Sequence, residues 1–130
     1  MNLLQLEIVT PTKTLDQGEV DYLRCPSPDG LFGLMAGHAD AIFAISLGEI
    51  KIKKNGKANF FATSGGFADV MDGKVQLLLE TIEESAGIDS KRAKDAYERA
   101  KNRLSDHKGD EKRAKLALSR AKNRLKVSER

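Results

Sequence analysis

Six arginines have the spacing in this chain that best suits chemistry. Arg92, Arg99 and Arg103 stand at i, i+7 and i+11, and Arg113, Arg120 and Arg124 repeat that spacing 21 residues later. On a helix each set lies along one face, and guanidinium forks match the oxygens of phosphates and carboxylates. Two such rows brought face to face would converge on a polyanion. The plainer alternative is a solvated surface in which Asp95 pairs with Arg92 and Arg99. Asp89 precedes the first row and has the type and place of a helix N-cap, its carboxylate suited to the helix dipole. It becomes a ligand contact only where a bound molecule offers donors, such as a ribose or an exocyclic amine. Glu83 and Glu84, just upstream, share that ambiguity and read first as solvated linker charges.

The remaining reactive side chains do not assemble into a catalytic set. His38, in "AGHAD", has no neighbouring nucleophile or second metal ligand, and His107 falls in a helix turn. The single cysteine, Cys25, cannot form an internal disulfide, which points to a reducing compartment and a small buried side chain. The glycines of "DGLFG" and "SGGF" do not fit the phosphate-loop or dinucleotide patterns and read as turns and bulges.

Two kinds of element must position these residues. Up to about residue 84 the chain reads as short strands: "LLQLEIV" alternates Leu4, Leu6 and Ile8 with polar neighbours, and Pro11 ends the run. Asn55-Gly56 and Asp72-Gly73 each lie between apolar stretches, the pattern of two-residue hairpins with type I′ turns. A mostly antiparallel sandwich or flattened barrel is expected. From Asp89 onward the period becomes helical, with Ala93, Ala96, Tyr97, Ala100 and Leu104, then Ala114, Ala117, Leu118, Ala121 and Leu125, at three- and four-residue steps. Gly109 and Asp110, between them, suit a helix stop and a new cap, so the spacing predicts an antiparallel hairpin. "RAKDAYERAKNRL" and "RAKLALSRAKNRL" agree at ten of thirteen positions, and matched helices should bury matched stripes. The seam is mostly alanine, each burying roughly one methyl, on the order of 0.8 kcal/mol at best. Its closure and docking should therefore be weak. The domains expected are a β-sandwich over 1–84 and a helical hairpin over 85–130.

Charge divides at the same place. Residues 1–88 hold 7 Lys+Arg against 12 Asp+Glu, net −5, and residues 89–130 hold 15 against 7, net +8, together the overall +3. The two modules should meet different partners. "MNLLQLEIVTP" has neither a basic leader nor an apolar run long enough for a signal peptide or a membrane span. The basic helices would allow loose, salt-sensitive nucleic-acid binding, but with Tyr97 as their one aromatic and no recognition module they offer no specificity. From residues alone, a free-standing nucleotide-sensing or nucleic-acid-binding module stands beside a regulatory role. An enzyme built on the Gly-His-Ala loop is a third reading, and it requires turnover to fail in His38→Ala.

The runs "DGLFGLMAGHADAIFAISLGEIKI" and "TSGGFADVMDGKVQLLLETIEESAGIDSKRAKDAYERA" resemble the epsilon subunit of bacterial F-type ATP synthases, over essentially the whole chain. The family's Gly-x-Phe/Leu-Gly and Gly-His-Ala signatures match at Gly30, Phe32, Gly33, Gly37, His38 and Ala39, and its Gly-Gly-Phe at Gly65, Gly66 and Phe67. Ala36 and Asp40 replace the usual prolines around Gly-His-Ala. The resemblance implies a non-catalytic central-stalk subunit of a proton-translocating ATP synthase. Its sandwich would bind the gamma subunit and the c-ring, and its mobile helices would extend along gamma to restrain hydrolysis by the alpha and beta subunits. The subunit would sit at the cytoplasmic face of the cell membrane, held there only through the complex, without a specific nucleic-acid partner or a required cofactor. By the same resemblance ATP is a regulatory ligand of the folded hairpin at the Ile/Leu-Asp-x-x-Arg-Ala motif, here Ile88, Asp89, Arg92 and Ala93. Asp89 and Glu83 would face base or sugar, and Arg92, Arg99, Arg120 and Arg124 the phosphates.

Overall fold

Asn55 and Asp72 adopt left-handed φ values of 53° and 51°, followed by Gly56 at 77° and Gly73 at 75°. Both hairpins therefore close through the type I′ geometry that their Asn-Gly and Asp-Gly pairs predict. A computed structural model of the chain describes residues 3–106 and 111–130. Gly109, Asp110 and His107 lie outside the described residues, and so do their expected turn and cap roles.

Among the described residues ten strands precede two helices. One sheet runs β2 (Thr14–Val20), β1 (Leu4–Val9), β9 (Lys74–Leu79), β8 (Gly66–Met71) and β5 (Ala41–Ile45). The other runs β10 (Ile82–Glu84), β7 (Lys57–Thr63), β6 (Gly48–Lys54), β3 (Tyr22–Ser27) and β4 (Gly30–Leu34). Every pairing is antiparallel except β1 with β9, which is parallel. Leu4, Leu6, Ile8, Leu23, Leu34, Ile50, Ile52, Val70, Val75 and Leu77 fill the space between the sheets with essentially no exposure. Alternation along β1, β6 and β9 places these residues inward and their neighbours, polar except at the ends of β1 and β9, outward.

Strand β7 is covered on both faces toward its end, which explains its consecutive apolar residues Phe60, Phe61 and Ala62. Phe61 points into the sandwich, while Phe60 and Ala62 point the other way and meet the helices. The helices are α1 (Ser90–Asp106) and α2 (Glu111–Ser128), reached through a 3-10 turn at Ser85–Gly87. Ala93, near the start of α1, packs with Val127, near the end of α2, so the pair is antiparallel. The seam between them is alanine-rich as expected, with Ala93, Ala100 and Ala121 buried. Helix α2 contacts β6, β7 and the 3-10 turn, and α1 leans mainly on α2.

The outward face of the first sheet has no covering element among the described residues. The registers align Ala44, Phe67, Leu78 and Val9 in one row across β5, β8, β9 and β1. Phe67 is 55% exposed, and Ile42 and Met71 beside the row are 72% and 57% exposed.

Candidate functional site

The Ile88-Asp89-x-x-Arg92-Ala93 stretch divides into separate structural jobs. Ile88 and Ala93 are buried against Ala62 and Val127, closing the base of the hairpin onto β7. Asp89 caps α1: its Oδ1 accepts hydrogen bonds from the backbone N–H of Lys91 at 3.0 Å and of Arg92 at 3.2 Å, and its carbonyl accepts from Ala93 N–H at 2.9 Å. The first-turn amides that could hold an anion are thus partly occupied by the chain's own carboxylate. Arg92 and Arg99 are exposed on α1. Neither pairs with Asp95, so the surface pairs expected at i+3 and i+4 do not form.

Glu83, Arg120 and Arg124 do come together. They line a cleft of about 380 Å³ between α2 and the edge of the second sheet, with Leu47, Thr63, Thr81 and Asn123 also in its wall. Arg92 and Arg99 are not among its lining residues. Within the cleft the guanidinium of Arg124 grips Glu83 with both prongs: Nε donates to Oε1 at 2.6 Å and Nη2 to Oε2 at 3.0 Å. The hydrogen bond to Glu83 is the main cause that pushes the Arg124 pKa further above its ordinary value, against a smaller opposing effect of burial. This corrects one expectation. Glu83 is not a solvated linker charge but part of β10 and the ion-pair partner of Arg124.

The internal repeat also breaks in three dimensions. Asn102 and Asn123 occupy equivalent positions, as do Arg103 and Arg124, yet only the α2 copies touch the sandwich. Asn123 Nδ2 donates to the Gly48 carbonyl at 2.7 Å, and Asn102 and Arg103 are exposed. The expected matched stripes are therefore unequal, because α2 lies against the sheet and α1 lies against α2. Two further residues, Val127 on the same face of α2 and Arg130 just past the end of that helix, were not distinguished by type or motif. Val127 is fully buried, and Arg130 Nε and Nη2 donate to Glu49 Oε2 and Oε1 at 2.9 and 2.7 Å while its guanidinium lies 4.4 Å from the Phe60 ring centre. Asn123, Arg124 and Val127 follow steps of three and four residues, a helical face that the alanine seam obscures, and Arg130 extends it just past the helix end.

Two family models divide the chain between them. The β-sandwich domain of the ATP synthase delta/epsilon chain matches residues 3–85, and the long α-helix domain of the same chain matches residues 87–129. The chain belongs to the ATP synthase delta/epsilon family. Curated relatives agree. The ATP synthase epsilon chain of Nitratidesulfovibrio vulgaris (strain DP4) is 42% identical over 102 residues, covering 78% of this chain and 76% of the relative. That of Salinibacter ruber is 38% identical over 112 residues, covering 79% and 75%. Among solved structures, a chain of the Euglena gracilis mitochondrial ATP synthase OSCP/F1/c-ring assembly shares the fold with a TM-score of 0.84 at 23% identity, over 100% of this chain and 83% of that one. A chain of the Tetrahymena thermophila mitochondrial ATP synthase central stalk and c-ring gives 0.67 at 14% identity, over 96% of each.

The delta/epsilon signature residues that are not in the cleft serve the sandwich. At Gly66 φ is 155°, and a Cβ there would fall on the Leu78 carbonyl, so glycine is required where β8 crosses close to β9 and presents Phe67 outward. His38 is exposed, its Nδ1 2.7 Å from the Ala39 carbonyl and its ring edge-on to Phe43 at 5.5 Å. Among the described residues no nucleophile or carboxylate is hydrogen-bonded to it, and it reads as part of a loop surface.

Proposed function

We propose that this chain is a non-catalytic epsilon subunit in the central stalk of a proton-translocating rotary ATP synthase, peripheral to the cytoplasmic face of the cell membrane through that complex. The observation that carries the reading is the match of both family modules in series over residues 3–85 and 87–129. The sandwich docks on the gamma subunit and the c-ring. The outward row of Ala44, Phe67, Leu78 and Val9 supplies an apolar surface suited to a permanent partner. The helical module restrains ATP hydrolysis when it leaves the sandwich and extends toward the alpha and beta subunits, where its net positive charge meets acidic surfaces. The test is reconstitution of the chain with gamma, alpha and beta subunits. Hydrolysis should be inhibited by the full chain and relieved when an engineered cross-link holds α2 to β6. Equal hydrolysis in both states refutes the inhibitory role.

A second reading, in which ATP stabilises the docked helices, is supported by the shared cleft of Glu83, Arg120 and Arg124. Its volume lies within the range of small-molecule sites, and Arg120 projects into it without an ion-pair partner within 4 Å among the described residues. ATP phosphates would have to draw Arg124 from Glu83, and Arg92 and Arg99 would join only if α1 shifted. Bound ATP would stabilise the docked form by RT ln(1 + [ATP]/Kd), so falling ATP would favour extension. Calorimetric titration of ATP into the full chain decides it. Heat lost in Arg120→Ala supports the cleft as the site, and absence of heat at millimolar ATP removes the ligand from the proposal.

A further inference from the structure

The face of α2 that meets the sandwich ends in a cluster that the family signatures leave aside. Glu49, on the outward face of β6, is only 11% exposed at its side chain and lies between two guanidinium groups. Arg24, its neighbour on β3, approaches no closer than 3.5 Å, and the Nε of Arg24 is buried without a hydrogen-bond partner. The short bonds to Glu49 come instead from Arg130, two of them, at 2.7 and 2.9 Å. The same Arg130 guanidinium stacks over Phe60, whose ring also packs against the Ala62, Ile88, Ala93 and Val127 cluster. A mostly buried carboxylate needs its hydrogen bonds satisfied. Here a residue of the helical module satisfies them, while Arg24 remains beneath as a fixed cation of the sandwich.

We propose that Arg130, Glu49 and Phe60 form a latch that fastens the helical module to the sandwich without any nucleotide, and that this latch sets how often the module comes loose. Its position suits that work. It lies one turn beyond fully buried Val127, on the side of α2 that also carries Asn123 and Arg124, so opening it uncovers the end of the docked face first. It is separate from the cleft of Glu83 and Arg120 and acts whether or not that cleft holds a ligand. Because a bidentate guanidinium–carboxylate pair and a stacked ring act together, losing Arg130 should raise the open population roughly five- to twenty-fold. Salt should reduce the effect but not abolish it, since stacking on Phe60 is less screened than the charge pair.

Amide hydrogen exchange on the full chain tests this in Arg130→Ala, Glu49→Gln and the double variant. The amides from Ala121 to Val127 should exchange roughly five- to twenty-fold faster in Arg130→Ala, with amides of β1 and β9 unchanged. The double variant should be no faster than the sum of coupled contacts allows, that is, clearly less than the product of the two single effects. Glu111→Gln, which removes the exposed Glu111–Lys115 pair near the other end of α2, should leave those amides at the parent rate. Unchanged exchange of α2 in Arg130→Ala overturns the latch. So do multiplicative single effects, or equal acceleration in α2 and the sandwich strands.

Discussion

At the scale of single residues, Asp89 and Cys25 illustrate how a reactive type can be spent on structure. Asp89 holds two amides of the first turn of α1, and Asp89→Ala should cost about 1 kcal/mol of hairpin stability. Faster exchange of the α1 amides at unchanged thermal midpoint of the sandwich is the expected signature. Cys25 has no exposure in the core of the sandwich, and burial pushes its thiol from an ordinary 9.0 up to about 12. The folded thiol therefore keeps its proton where the unfolded one loses it. This contribution to stability is intact below about pH 9 and is lost as pH rises toward about 12. Urea midpoints should fall between pH 8 and 10.5 in the parent and fall less in Cys25→Ala, while alkylation at pH 8 should require unfolding. The capping role of Asp89 was legible because it depends on residues two and three positions away. The fate of Glu83 was not, because its partner lies 41 residues along the chain.

Among elements, the two modules should separate under mutation. Val127 has no exposure, and Val127→Ala removes about 1–3 kcal/mol from a docking face that otherwise relies on alanines, half-buried Leu125, the Asn123 hydrogen bond and ion pairs. The Arg124–Glu83 pair is too exposed to compensate, at well under about 1 kcal/mol. Limited proteolysis should then cut within 111–130 while the 3–84 fragment remains intact. The opposite outcome, with cleavage in both modules, would mean that they unfold together. Strand identity and both hairpins could be read from alternation and from Asn-Gly and Asp-Gly, since local geometry settles them. The order of strands in each sheet could not, and nor could the choice of α2 over α1 as the inner helix. "RAKNRL" occurs in both helices, and only the flanking Val127 and Arg130 distinguish the copy that packs on β7.

Across the whole molecule, an acidic sandwich meets a basic helical module on one side and leaves an apolar row open on the other. Phe67 is the most exposed large side chain of that row, at 55%, so Phe67→Glu should change the stability of the isolated chain by less than about 0.5 kcal/mol. Copurification with the gamma subunit should nevertheless drop at least tenfold, and retained copurification would place the docking face elsewhere. The division of charge was visible in composition, but the apolar row was not, because its members come from four strands that only the sheet register aligns. The parallel pairing of β1 with β9 has a consequence in time. Strand β1 pairs with β2 at once, but its other edge waits for residues 74–79, and the Gln76 side chain that bonds Glu7 is 69 residues further along. Such distant closure is slow. On the ribosome the nascent chain must therefore carry an unpaired strand edge until almost the entire sandwich has emerged, and the helices are synthesised as that edge is being sealed.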